Sequence, residues 1–562
     1  MLLLAHAAAA EFIQQGSKLI GTDVVAPTVQ AFSVAISADG NTAIVGGYQD
    51  NSGAGAAWVS TRSGGVWSQQ GNKLVGTGAV GVAVQGYSVA ISADGNTAIV
   101  GGPGDNSNAG AAWVWTRSGG VWSQQGSKLV GTGAVGGGAN QGGSVAISAD
   151  GNTAIVGGSA DNSNAGAAWI FSRSGGAWSQ QGSKLVGTGA AGAAQQGSSV
   201  AISSDGNSAI VGGPADSSSA GAVWVYARSG GVWSQQGSKL VGTGAVGSVA
   251  LQGKSVAISA DGNTAIIGGF GDNSNAGAAW VYTRSGGVWT QQGSKLVGTD
   301  AAGAAQQGSS VAISADGDTA IVGGFGDNSN AGAAWVYTRS GGVWTQQGSK
   351  LVGTGAVDPA YQGLSVAISA DATTAIVGGP GDNSGVGAAW VFSASFAVWV
   401  PVASHNSGLN QSQWRSDLGL LNAGSLTANV RLSFYGSGGV VSNTIYVPAG
   451  AQSILTDVVG QLGGSGSGAT GVFSDQALKI TARTYNQVAS SATCYPNGTQ
   501  GQDYPVLTTG NGLSADEGAY LPGLTRTPRT TATSGWSTQA PGVRRCWWSF
   551  STERGPNSPT TR

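Results

Sequence analysis

Apolar side chains recur at every second position in short runs along the first two thirds of the chain, and no stretch there keeps a helical period of three to four. In the segment 87–129, Val89 and Ile91 alternate with Ser88, Ala90 and Ser92, and Ile99, Trp113 and Trp122 supply further apolar positions. The pattern predicts four strands: 87–92, 97–101, 111–116 and 121–129. Asp94-Gly95 divides the first two, because glycine accepts the positive φ of a tight hairpin, and Ser118-Gly119-Gly120 divides the last two. This unit recurs. Ser-Val-Ala-Ile-Ser begins at Ser33, Ser88, Ser144, Ser199, Ser255, Ser310 and Ser365, so neighbouring copies lie 55 or 56 residues apart.

Seven units of four antiparallel strands predict an all-β fold, a seven-bladed β-propeller, in which radial repetition leaves only short protected edges. An open solenoid is the competing architecture, but it needs polar capping repeats, and neither terminal copy is of that kind. The seam favours a closed ring. Gln14-Gln15-Gly16-Ser17-Lys18-Leu19 is a fourth-strand sequence without three strands before it, and the seventh copy runs to Trp399 and then departs into Val400-Pro401-Val402. The N-terminal strand is therefore expected to complete blade seven.

The units resemble FG-GAP repeats, the blades of integrin α N-terminal propellers and of many secreted bacterial proteins. The likeness lies in Gly-x-Ser-Val-Ala-Ile-Ser, in Ala-Ile-Val-Gly-Gly-Pro at 98–103 and in Gly-Ala-Ala-Trp-Val-Trp at 110–115, over about residues 11–400. It implies the propeller fold and a role in adhesion, ligand binding or scaffolding. Many members of that family also carry an Asp- and Asn-rich calcium loop between the first two strands. The hairpin here, Ser92-Ala93-Asp94-Gly95-Asn96-Thr97, has one carboxylate where a hard cation needs six to eight oxygens. Asp39, Asp94, Asp150, Asp205, Asp261, Asp316 and Asp371 read as turn residues. No cofactor is expected, and calcium is kept only as an alternative.

Composition narrows the function. Charged residues make up 9% of the 562, the net charge is -2 and there is no basic run, so the footprint of a nucleic-acid binder is missing. No apolar run reaches the ~20 residues of a membrane-spanning helix. His6 and His405 are the only histidines, Glu11, Glu517 and Glu553 the only glutamates, and Cys494 and Cys546 the only cysteines. The repeats therefore hold no His-based triad or zinc cluster, and any paired carboxylates must be aspartates.

Residues 1–10 are apolar and end in small residues, as does the remnant of a secretion signal. Residues 11–400 form the propeller, and 401–523 read as a β-sandwich module. Trp414-Arg415-Ser416-Asp417-Leu418-Gly419-Leu420-Leu421-Asn422, with Arg483-Thr484-Tyr485-Asn486, resembles an accessory module near the C-termini of secreted bacterial proteins. His405, Asp417 and Arg415 are its only candidates for a catalytic site, without a nucleophile at a telling spacing. Residues 524–562 change in character and are expected to be a frameshifted second copy of the module or a disordered tail.

Two features could carry recognition. Asp50, Asp105, Asp161, Asp216, Asp272, Asp327 and Asp382 recur in all seven loops between strands two and three, typically Gly-Asp-Asn-Ser-Asn-Ala-Gly. They read as Asx-turn residues or as a weak set of cation ligands. The links from strand four to the next blade vary most between copies and leave the same face as these loops. Asn106, Asn108, Asn140, Asp358 and Tyr361 are the ligand-facing candidates there. Fourteen tryptophans at fixed offsets, seven on the third strands and seven, the last of them Trp399, opening the fourth, read as packing between blades, with sugar stacking as the alternative. Arg62, Arg117 and their counterparts read as solubilising surface residues.

The expectation is a non-enzymatic, secreted or cell-surface, monomeric adhesion scaffold binding an extracellular protein or glycan. A carbohydrate-binding propeller is the alternative. A propeller hydrolase or lyase would need residues specific to single blades around the central channel.

Overall fold

The computed structural model describes residues 12–394 apart from 26 and 358, then 396–407, 413–423, 427–474, 476, 478–487, 499–504, 507–508, 533–538 and 544–549. It divides into two compact units, the first ending at Phe396 and the second beginning at Ala397.

The first unit is a seven-bladed β-propeller of four-stranded antiparallel blades. In blade two the strands are Ser88–Ile91, Thr97–Gly102, Ala111–Ser118 and Val121–Gln124. The fourth strand is shorter than the alternation predicts. Gly126 turns the chain at a φ of 71°, and Leu129 returns to the sheet only through a two-way backbone bridge with Ala112. Blade seven is completed by Phe12–Gln14, paired antiparallel to Ala388–Ala394. The expected closure is thus present, but Trp399 opens no fourth strand. It lies in Phe396–Ser407, which pairs within the second unit, because the N-terminal strand already occupies that edge.

Packing explains the repeated motif. Strand two is buried on both faces in nearly every blade, which is why Ala-Ile-Val-Gly-Gly is apolar throughout rather than alternating. The first glycine of the pair is fixed by a close approach: a Cβ at Gly101 would fall on the carbonyl oxygen of Gly142, in the link to blade three. Trp113 and its six counterparts on the third strands are 0–2% exposed and fill the space between blades. Most give their indole N–H to a link threonine carbonyl, as Trp113 does to Thr77 at 2.8 Å.

The ring is also closed through its backbone. The N–H of Ala38 donates to the carbonyl of Ala93, and the chain of donation passes through Ala149, Ser204, Ala260, Ala315 and Ala370 back to Ala38, with every step 3.0–3.1 Å. An open solenoid could not complete this circuit. Ile36 and its six equivalents line the axial cavity beside it, about 170 Å³ in volume.

The second unit is all-β. Its sheet runs in the order Gly439–Val447, Ala428–Gly436, Gly466–Ser474, Phe396–Ser407, Gln413–Leu421, Lys479–Gln487, Thr499–Tyr504. Leu418 and Leu420 share one core with Val430, Leu432 and Phe434 from the other half of the sheet, so the halves face each other as in a sandwich. Residues 1–11, with the expected signal remnant, lie outside the described residues. In the region expected to be frameshifted, Thr533–Thr538 pairs with Arg544–Ser549 as a hairpin.

Candidate functional site: the mouth of the link face

The face carrying the blade-to-blade links and the loops between strands two and three is held by seven like ion pairs. Asp105 is buried. Its Oδ1 accepts the N–H of Val80 from the incoming link, and its Oδ2 accepts the Lys128 ammonium that follows the outer strand of the same blade. Lys18–Asp382, Lys73–Asp50, Lys184–Asp161, Lys239–Asp216, Lys295–Asp272 and Lys350–Asp327 repeat the pair at 2.5–2.7 Å.

This corrects both readings of those aspartates. Each carboxylate side chain is at most 1% exposed, with both oxygens engaged and an ammonium in contact, so none is open to a cation. Nor does the carboxylate chiefly cap its own loop, since its partners lie 25 residues before it and 23 after it. It ties three segments of the face together. The loop it secures is one left-handed turn, with Asn106, Ser107 and Asn108 at φ of 50°, 57° and 70°. Such a turn costs roughly 1–2 kcal/mol per L-residue, less for asparagine, so an external tie is needed to hold it. Among the described residues no group of three or more metal-binding side chains occurs.

The hairpin aspartates on the opposite face do act as turn residues. Desolvation works to raise the pKa of Asp94, but the Ser92 hydroxyl, the Asn96 N–H and side-chain amide, and the Arg117 charge outweigh it and hold the carboxyl below its ordinary value. Asp39, Asp150, Asp205, Asp261 and Asp371 are lowered in the same sense, also against desolvation. A depressed folded pKa gives stability that is present above the unfolded value, near 4, and lost as pH falls through the folded one. The thermal midpoint is expected to fall as the pH drops below about 4, and less steeply in Asp94→Asn. A variant with the full acid slope would remove this turn from the account.

The outer tryptophans and arginines are linked between blades. Arg117 lies over Trp122 at 5.4 Å, and both donate to the side-chain oxygen of Gln70 in the preceding blade. These arginines are half-buried clasps rather than solubilising residues.

The blades differ at the central mouth of the link face. The residue before each Ser-Val-Ala-Ile-Ser is Phe32, Tyr87, Gly143, Ser198, Lys254, Ser309 or Leu364, and the residue after each Gly-Gly pair of strand two is Tyr48, Pro103, Ser159, Pro214, Phe270, Phe325 or Pro380. These columns gather into sectors. Phe32, Tyr48 and Tyr87 form an aromatic cluster with centroids 4.7–5.6 Å apart. Phe270, Phe325 and Tyr361 form a looser one at 6.2–6.5 Å. Tyr48 and Tyr87 line a cavity of about 600 Å³ that continues past Val82, Val84 and Pro103 to Ser107, Asn108, Asn140, Gly143, Ser159, Ser198 and Lys254. Burial, and then the neighbouring Tyr48, push the Tyr87 phenol up.

Of the residues singled out from sequence, Asn108 and Asn140 line this cavity and Tyr361 joins the second aromatic cluster. Asn106 is exposed in its left-handed turn and is not part of the wall, and Asp358 lies outside the described residues. Tyr48, Tyr87, Gly143, Ser159, Ser198 and Lys254 were missed. Aligning the seven copies and looking for the columns where a single blade departs would have found them.

In the second unit His405, Arg415 and Asp417 do come together, through Asp457. His405 Nδ1 is 2.8 Å from Asp457, Arg415 is 3.4 Å from it, and the Asp457 N–H donates to Asp417, which is also paired with Arg483. His405 meets both carboxylate oxygens of Asp457, and among the described residues no hydroxyl or thiol hydrogen-bonds it.

No family model matches the chain, and no curated protein matches it. Among solved structures, hydrazine synthase of Kuenenia stuttgartiensis is similar at 13% identity, over 65% of this chain and 95% of that one, with a TM-score of 0.39. The expectation of a non-enzymatic protein is corrected to this extent: the similar structure is that of an enzyme. A likeness this slight assigns neither family nor activity to this chain.

Proposed function

We propose that the propeller is a recognition module of a secreted or cell-surface protein, of the FG-GAP kind, binding an extracellular protein or glycan in the bowl at the mouth of its link face. One observation carries this reading: blades that otherwise repeat almost residue for residue differ at the positions that ring the mouth. Packing alone would favour the same residue in each copy, as it does for the buried tryptophans. The cavity is within the ~300–1,000 Å³ of small-ligand sites and combines aromatic wall with hydroxyl and amide groups. The apolar N-terminal stretch and the accessory-like second unit support an extracellular setting.

The test is binding of the full chain to arrays of glycans and matrix proteins. Tyr48→Ala/Tyr87→Ala is expected to lose at least about tenfold in signal on the ligands the wild type retains. Val121→Ala, on an exposed hairpin of the opposite face, is expected to lose none. Equal retention by both variants, or no ligand for the wild type, would overturn the reading.

A further inference from the structure

We propose that the bowl selects a carboxylate-bearing sugar, with Lys254 as the group that receives the acid. The inference rests on the recognition reading above and adds the ligand's charge and class.

Charge on this face is almost entirely cancelled internally. Lys18, Lys73, Lys128, Lys184, Lys239, Lys295 and Lys350 are each spent on a buried aspartate. Lys254 is different. It stands alone in its column, exposed in the bowl wall, and no acceptor meets its ammonium among the described residues. Among the described residues no aspartate or glutamate lines the cavity, and an anion entering it meets the Lys254 cation. Lys254 is open to solvent at the mouth, yet the bowl wall around it desolvates the ammonium and lowers its pKa from the ordinary lysine value, and a paired anion would favour the charged form.

The rest of the wall decides between an acidic sugar and an acidic peptide. Tyr48 and Tyr87 present ring surface on one side, suited to the apolar face of a pyranose. Asn108, Asn140 and Ser159 offer donors and acceptors on the other, and Ser198, whose hydroxyl donates to the Gln195 carbonyl, adds an acceptor, a set suited to vicinal hydroxyls. Gly143 keeps the floor between them open where other blades place a side chain: the same column holds Tyr87 and Lys254. A peptide carboxylate would use the lysine but would leave this donor and acceptor array unmatched.

The experiment is calorimetry of the full chain with a tetramer of galacturonic acid, its fully methyl-esterified form and an oligoglutamate of equal charge. The acid tetramer is expected to bind at least about tenfold tighter than the ester. Lys254→Met should remove that preference, Lys254→Arg should keep it, and all three proteins should melt alike. Affinity for the acid should also decline with rising pH earlier than an ordinary lysine would cause, since the protonated amine is the binding form. Equal binding of acid and ester, a preference that survives Lys254→Met, or oligoglutamate binding as tightly as the tetramer would each overturn the proposal. If acid and ester bind equally and both are lost in Tyr87→Ala, the bowl stands as a recognition site and only the charge assignment falls. Failure of both sugars to bind overturns the acidic-sugar assignment, while the array experiment judges the bowl separately.

Discussion

Lys128→Met is expected to lower stability by about 3–5 kcal/mol, a penalty typical of removing one partner from a buried pair. The asymmetry of the pair sets the size of the effect: the Asp105 side chain is 1% exposed and Lys128 19%. Without the ammonium, a carboxylate remains inside with only the Val80 N–H to meet it, and the left-handed loop and incoming link lose their common tie. Adding Asp105→Asn should recover most of the loss, because the amide oxygen can still accept from Val80 without carrying a charge. Denaturant melts of the two single variants and the double variant make the cycle. A Lys128→Met cost under about 1 kcal/mol would place the pair with ordinary surface salt bridges.

Removing residues 1–20 is expected to do more than any point substitution. It takes away Phe12 from the core of blade seven, the three-residue pairing with Ala388–Ala394, the bridge of Leu19 to Ala389, and the Lys18–Asp382 pair. It also removes Gln14, which accepts from Thr354, and Gln15, which accepts from Arg62 across the seam. The third strand of blade seven would become a free edge, the template for pairing with another copy. The shortened chain should melt at least several degrees lower and self-associate on sizing columns, and a peptide of residues 11–21 added in excess should reverse both. A monomer with an unchanged midpoint would show that the ring needs no such closure.

Alternation made the blades legible, since a strand with two kinds of face announces itself locally. Position in the repeat then misled at one end. Trp399 falls where a fourth-strand tryptophan is due, but nothing local distinguishes a strand that joins blade seven from one that joins another sheet. The role of Asp105 was hidden for a related reason: Asp-Asn-Ser-Asn reads as a self-contained turn, whereas its partners come from the link before and the strand after. At the mouth, Asn140 and Tyr361 were found because whole links vary around them. Lys254 and Tyr87 were not, because each is a single changed residue directly before an unchanging motif.

The interfaces between blades are nearly interchangeable: Gln70 serves Trp122 and Arg117 as Gln125 serves Trp178 and Arg173. Unequal crossing-over between such repeats in the gene would join blades whose contacts still match, so the wall of the ring does little to oppose gain or loss of a unit. The mouth is where history is kept. Its residues have meaning only by their order around the axis, and a recombined gene could encode a sound propeller whose aromatic sector no longer sits across from its lysine. A lineage can thus keep its scaffold while reshuffling the side chains that ring its mouth.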